Sequence, residues 1–159
     1  PVIANGDIDS AEKARAVLAL TGAAGVMVGR AAQGQLWLPG AIASALSAGD
    51  EGAGAPSLSE QLRLQSEHLL RLHDFHGDHL GPRIARKHQA WLLESLTAQR
   101  ALSAEDARAW RQAFNRIESA EEQIVCLREM TDALMSAVSA TAPTSQMSPP
   151  MCPQMLVAA

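Results

Sequence analysis

The chain is 159 residues long, 47% apolar and 19% charged, with a formal net charge of −4. That length suits one ordinary domain with enough apolar matter to bury a core, and the acidic balance argues against indiscriminate polyanion binding. No apolar run approaches the ~20 residues of a membrane helix, and no signal-peptide pattern is present. Cys126 and Cys152 have no metal-ligand spacing, so no metal site is expected and a reducing cytoplasm is the default compartment.

Position 1 is Pro rather than Met, and the chain opens in what reads as mid-strand, so a preceding segment is expected. Residues 1–46 read as βαβα. "PVIA" is a fully apolar strand of the kind a parallel sheet buried on both faces requires. Asp9 with Glu12 resembles a capping box, "AEKARAVLAL" has helical periodicity, and Gly22 stops that helix. "AGVMVG" is the next strand, and Leu36 to Leu46 offers another helix.

The Gly-rich stretch at 47–56 reads as a linker. Beyond it, 57–136 reads as an α-helical bundle of four elements. Ser57 with Glu60 caps the first, and "HGDHLGP" breaks it. Pro82 suits the first turn of the second, running from Arg83 to about Glu94. Ser103 with Asp106 opens the third, and Ser119 with Glu122 the fourth. The Pro-, Ser- and Met-rich segment 137–159 has no period and is expected to be disordered.

Chemistry is expected at the two strand ends, "ANGD" at 4–7 and "VGRAAQG" at 28–34. Ligands of parallel α/β folds bind at strand C-termini, where glycine lets the backbone approach closely. Gly6 and Gly29 supply that freedom, and Arg30 adds a fixed positive charge. Either loop alone could be an ordinary glycine turn. Two in succession, the second followed by room for a short helix, describe the phosphate site after the last strands of a (β/α)8 barrel. The expected fold is therefore α/β, the last two βα units of a TIM barrel, followed by an all-α bundle.

The stretch "PVIANGDIDSAEKARAVLALTGAAGVMVGRAAQGQLWL" resembles the barrel end of bacterial tRNA-dihydrouridine synthases, most closely the B-type. "LHDFHGDHLGPRIARKHQAWLL" and "FNRIESAEEQI" resemble their C-terminal helical domain. The resemblance implies an FMN-dependent enzyme that reduces uridine to 5,6-dihydrouridine in tRNA, with NADPH as electron donor. It further implies that Asn5, Gly6, Asp7, Gly29 and Arg30 bind the FMN phosphate. Because a carboxylate repels phosphate, Asp7 reads better as a cap or as a group that orients the loop. The family's general-acid cysteine lies on a mid-barrel loop that neither Cys126 nor Cys152 matches, so no catalytic residue is assigned here.

Seven basic and three acidic residues lie between Arg83 and Arg116, a local surplus on an acidic chain. At about 100° per residue, Arg83, Arg86 and Lys87 share one helix face, and Ile84, Trp91 and Leu92 fall on the other side. Such a stripe is often just a solvated face. The resemblance makes it a grip on tRNA phosphates, which would position the substrate without reading its sequence. His88 points toward the core and reads as a packed histidine. Gly77 interrupts the helix carrying His73, His76 and His79, so these do not form a ligand set. Trp91 and Trp110 read as core. Two alternatives stand beside the enzyme: a stand-alone RNA-binding helical module, and a fragment of another FMN-binding TIM-barrel oxidoreductase.

Overall fold

The structure, a computed structural model, describes residues 1–48 and 54–141. Positions 49–53 of the expected linker and 142–159 of the expected disordered segment lie outside the described residues. Two strands, β1 (Ile3–Asn5) and β2 (Gly25–Met27), pair in parallel, with Ile3 opposite Gly25 and Asn5 opposite Met27. Helix α1 (Ala11–Thr21) makes the crossover between them. Its N-cap is Ser10 rather than Asp9: Ser10 is extended, and its hydroxyl accepts the Lys13 N–H at 3.2 Å. Asp9 falls one residue early and ion-pairs with Lys13 at 3.7 Å instead. At the other end Gly22 adopts φ 64° and donates its N–H to the Leu18 carbonyl, the left-handed cap that glycine accepts without a Cβ penalty.

A single 3-10 turn at Arg30–Ala32 and helix α2 (Leu38–Ala48) follow β2. This first unit has a small core in which Ile8, Ala14 and Ile42 are buried, with Val17, Val26, Val28, Leu38 and Leu46 packed around them. Its strands are mostly apolar, as a doubly covered sheet requires, yet Ile3 and the preceding Val2 are 56% and 72% exposed. Nothing among the described residues covers that surface.

The second unit is helical: α3 (Leu58–Ala98), α4 (Ala104–Arg116) and α5 (Ala120–Thr141). The break in α3 falls at Gly77, whose φ 71° and ψ 178° are open essentially to glycine alone. The chain reverses there. Gln65 meets Gln89 at 3.2 Å, His68 meets His88 at 2.9 Å, and Gln61 meets Gln99 at 3.1 Å, so the two arms of α3 run antiparallel. Gly81 allows the arms to close near the bend, because a Cβ there would stand 3.0 Å from the Cα of His73. The second arm starts just after Gly77, so Pro82 lies inside it rather than in its first turn, and it extends to Ala98, past Glu94; α5 extends to Thr141, past 136. Ser57, Ser103 and Ser119 each accept the N–H three residues on, which starts the three helices where the capping boxes place them.

Leu62, Leu69, Leu92, Leu93, Leu96, Phe114, Leu127 and Met130 form the centre of this second core. Trp110 packs against it, and Cys126 is buried within it. A polar seam runs through the same core. His73 Nε2 shares a hydrogen bond with Gln123 Oε1 at 2.9 Å, and the Gln123 amide donates to the Pro82 carbonyl at 3.0 Å. Buried amides are tolerated when paired in this way.

Candidate functional site

The parallel register decides where the two strand ends meet. With Asn5 opposite Met27, the loops that follow β1 and β2 emerge side by side. Asn5, Gly6, Asp7, Gly29 and Arg30 all line one cavity of about 760 Å3, together with Met27 and Gln35. Gly6 has φ 149° and Asp7 φ 46°, so the loop after β1 turns through two successive positive-φ residues. Gly6 can do so freely. An aspartate in the left-handed region is uncommon but tolerated, because its short polar side chain can be held locally.

What holds it is Arg30. The guanidinium donates to Asp7 Oδ1 at 2.7 Å, linking the two loops across the cavity. Both side chains are mostly exposed, at 82% and 70%, so the pair adds little to stability. Its consequence is orientation: Asp7 aims Arg30 along the cavity rim, and the other guanidinium N–H groups remain available to an anion. A cationic fork beside glycine-lined backbone, with space in front of it, fits a phosphoryl group.

The second group of candidate residues lies on the second arm of α3. Arg83, Arg86 and Lys87 line a groove of about 530 Å3 with Trp91, Glu94, Arg111 and Asn115. Their surroundings differ. Arg83 is exposed. Lys87 holds its ammonium 4.9 Å from the centroid of the Trp91 ring, a cation–π contact, so Trp91 forms groove wall rather than the core that the sequence suggests. Arg86 is half-buried and donates to the Ile117 carbonyl at 3.0 Å, while its Nε has no partner. Arg86 therefore ties the turn between α4 and α5 to α3, a duty that the helical face alone does not reveal. Arg111, from α4, joins the groove by tertiary packing and reaches Glu94 at 3.3 Å. Its cationic charge is visible in the sequence, whereas its place in the same groove as Lys87 depends on how α4 packs.

A third cavity, of about 420 Å3, joins the other two. Arg30 belongs to it and to the strand-end cavity, while Trp91 and Glu94 belong to it and to the cationic groove. Gln33, Gln35, Trp37 and Gln99 complete its wall. Shared lining residues thus bridge the strand-end cavity and the cationic groove.

The remaining candidates resolve into structure. His73 is buried against Gln123, and no cluster of His, Cys, Asp or Glu suited to a metal ion occurs among the described residues. His88 is half-buried, sharing a hydrogen bond with His68 and meeting Trp91 edge-on at 5.0 Å. Burial holds both imidazoles below their ordinary pKa of 6.5, and for His88 the charges of His68, Lys87 and His76 add to it. Burial, with Glu129 nearby, pushes the Cys126 thiol up, away from reactivity. No helix among the described residues is long and apolar enough to cross a membrane.

The family model described as "Dihydrouridine synthase (Dus)" matches residues 1–139. The chain is 45% identical over 136 residues to a tRNA-dihydrouridine synthase B of Vibrio cholerae, covering 86% of this chain and 39% of that protein. It is 48% identical over 129 residues to the Pseudomonas syringae pv. tomato protein of the same name, covering 81% and 36%. With the Shewanella oneidensis one it shares 42% over 135 residues, covering 85% and 39%. The chain thus spans under two fifths of the length of these relatives. A cavity at two parallel strand ends, a cationic helical groove beside it and this match along most of the sequence lead to one assignment: the chain belongs to the dihydrouridine synthase family.

Proposed function

We propose that the chain is the C-terminal part of an FMN-dependent tRNA-dihydrouridine synthase of the B-type, which reduces uridine to 5,6-dihydrouridine in tRNA with electrons from NADPH. In this reading residues 1–46 close a (β/α)8 barrel, and 47–56 link it to a tRNA-binding helical domain at 57–136, whose last helix runs on to Thr141. The observation that carries the reading is the convergence of Asn5, Gly6, Asp7, Gly29 and Arg30 on one cavity that continues, through Arg30 and Trp91, into the cationic groove.

FMN, when bound, supplies the hydride chemistry. This chain's residues supply its anchorage and part of the substrate's. Gly6 and Gly29 bring the backbone to the phosphoryl oxygens, and Arg30 offers a charge-assisted fork. Asp7 holds that fork across the loops, so the guanidinium is already oriented when the anion arrives. Arg83 and Lys87 offer cations to the RNA backbone, with Arg111 beside them, and these contacts set the register of the RNA rather than reading its bases. A target base inside folded RNA must leave its stack to reach a buried flavin. Cys126 has no part in the chemistry, since it is packed in the helical core. The proton donor belongs to the barrel portion upstream.

The test is to incubate the complete enzyme with NADPH, FMN and tRNA lacking dihydrouridine, then to weigh the digested nucleosides. A two-hydrogen mass gain on uridine that depends on both NADPH and FMN is expected. Tight tRNA binding with no mass gain would leave only the stand-alone RNA-binding module.

A further inference from the structure

Among the described residues, no helix or strand of the first unit packs against a helix of the second. The two units approach at a loop. Gly34, two residues after the 3-10 turn, has φ 74°, and a Cβ built on it would fall 2.2 Å from the Trp91 carbonyl oxygen and 2.7 Å from its carbon. The same Cβ would stand 3.0 Å from Ser95 Cβ. A helix carbonyl held in the i→i−4 ladder cannot swing aside as a side-chain tip can. An ordinary carbon–oxygen contact is about 3.3 Å or longer, so a methyl group at position 34 would separate loop and helix by about 1 Å.

This loop is also the one that carries Arg30. Over five residues it has the phosphoryl cavity at one end and the second arm of α3 at the other, and Arg83 and Lys87 stand on that same arm. We propose, resting on the dihydrouridine synthase reading above, that Gly34 is a positioning residue. Its missing Cβ lets the barrel rim seat directly on the Trp91 carbonyl and so fixes the offset between the flavin anchor and the RNA-backbone groove. It touches neither ligand and acts through Trp91 and Ser95. A misplacement of about 1 Å remote from the chemistry can cost on the order of a hundredfold in rate.

The experiment compares three variants of the complete enzyme. Gly34→Ala introduces both positive-φ strain and the contact. Gly22→Ala, at φ 64° with nothing within 4 Å, introduces the strain alone. Ser95→Val adds bulk from the helical side of the contact without straining the loop. Flavin content, the rate of flavin reduction by NADPH, tRNA affinity by filter binding and kcat/KM for tRNA are measured for each. Gly34→Ala is expected to lose ~10- to 100-fold in kcat/KM for tRNA, while flavin content and flavin reduction stay within twofold. Ser95→Val should follow in the same direction by less, and Gly22→Ala should match the wild type.

A Gly34→Ala enzyme within twofold of wild type on tRNA would overturn the proposal. So would parallel losses of flavin and tRNA activity in Gly34→Ala and Gly22→Ala. Should Gly34→Ala be insoluble, Ser95→Val decides, and unchanged tRNA binding and turnover in it also overturns the proposal. A wild-type enzyme that made no dihydrouridine would count against the functional reading instead. The ratio of tRNA affinities between Gly34→Ala and wild type would still test the positioning role.

Discussion

The two units of this chain divide stability and chemistry unequally. The helical unit buries a core that runs from Leu62 to Leu134, with Gln65, Gln89 and Gln123 satisfied inside it. The strand unit buries little more than Ile8, Ala14 and Ile42, and leaves Val2, Ile3 and Met27 open to solvent. Yet the strand-end cavity with Arg30 lies on the weaker unit. Two parallel strands with open edges are not a self-sufficient sheet, so the loops around Arg30 need support beyond their own core. The lesson is that ligand geometry can be encoded locally while the rigidity that makes it useful comes from elsewhere.

The sharpest way to break this contrast is to cut a large side chain from each core. In the isolated chain, Phe114→Ala should destabilise the helical unit by about 3–5 kcal/mol, read as a lower midpoint in urea monitored by circular dichroism. Ile42→Ala should leave that transition almost unmoved, because the strand unit contributes little to the cooperative melt. Equal losses from both substitutions would mean that the two units unfold as one body and that the contrast is false.

Next comes the groove. Arg83→Ala with Lys87→Ala in the complete enzyme should weaken tRNA binding and flatten its salt dependence by about one unit of slope for each lost phosphate contact. Arg86→Ala should behave differently, lowering thermal stability by removing the bond to the Ile117 carbonyl as well as a charge. If all three cations acted alike on salt slope and none on stability, the division of labour along that helix would be wrong.

The smallest effect expected is one of pH. His68 and His88 share one hydrogen bond, which needs a donor and a lone pair, and their folded pKa values lie below the ordinary 6.5. The unfolded chain then binds protons more readily than the folded one, so the pair's contribution is present above pH 6.5 and is lost as pH falls below it. Lys87 and His76 reinforce the effect on His88. The urea midpoint of the wild type should drop between pH 7.5 and 5.5 by more than that of His68→Leu. Parallel drops would show that the pair is silent.

Much of this was legible in the sequence where the signal is local. Ser57, Ser103 and Ser119 mark their helices because a hydroxyl three residues before an N–H is a short-range fact. Gly77 marks a break for the same reason, since its torsion angles suit no other residue. The clustering of Asn5, Gly6, Asp7, Gly29 and Arg30 could be expected because a parallel βαβ unit brings consecutive strand ends together. What stayed hidden depends on partners far along the chain. The reversal of α3 onto itself, the Gln123 bond to Pro82, the diversion of Arg86 to Ile117 and the seat of Gly34 on Trp91 all join residues at least 20 positions apart. Asp9 reads as a cap from the sequence because Ser10 beside it is equally suited, and only the backbone angles choose between them.

Whether two neighbouring loops form one anchor for a flavin's phosphate is decided by comparing FMN with riboflavin on the complete enzyme and its Arg30→Ala variant. The wild type should prefer FMN strongly, and Arg30→Ala should lose at least tenfold of that preference, about 1.4 kcal/mol, with riboflavin affinity unchanged. An FMN preference that survives the substitution intact would mean that Arg30 does not hold the phosphate.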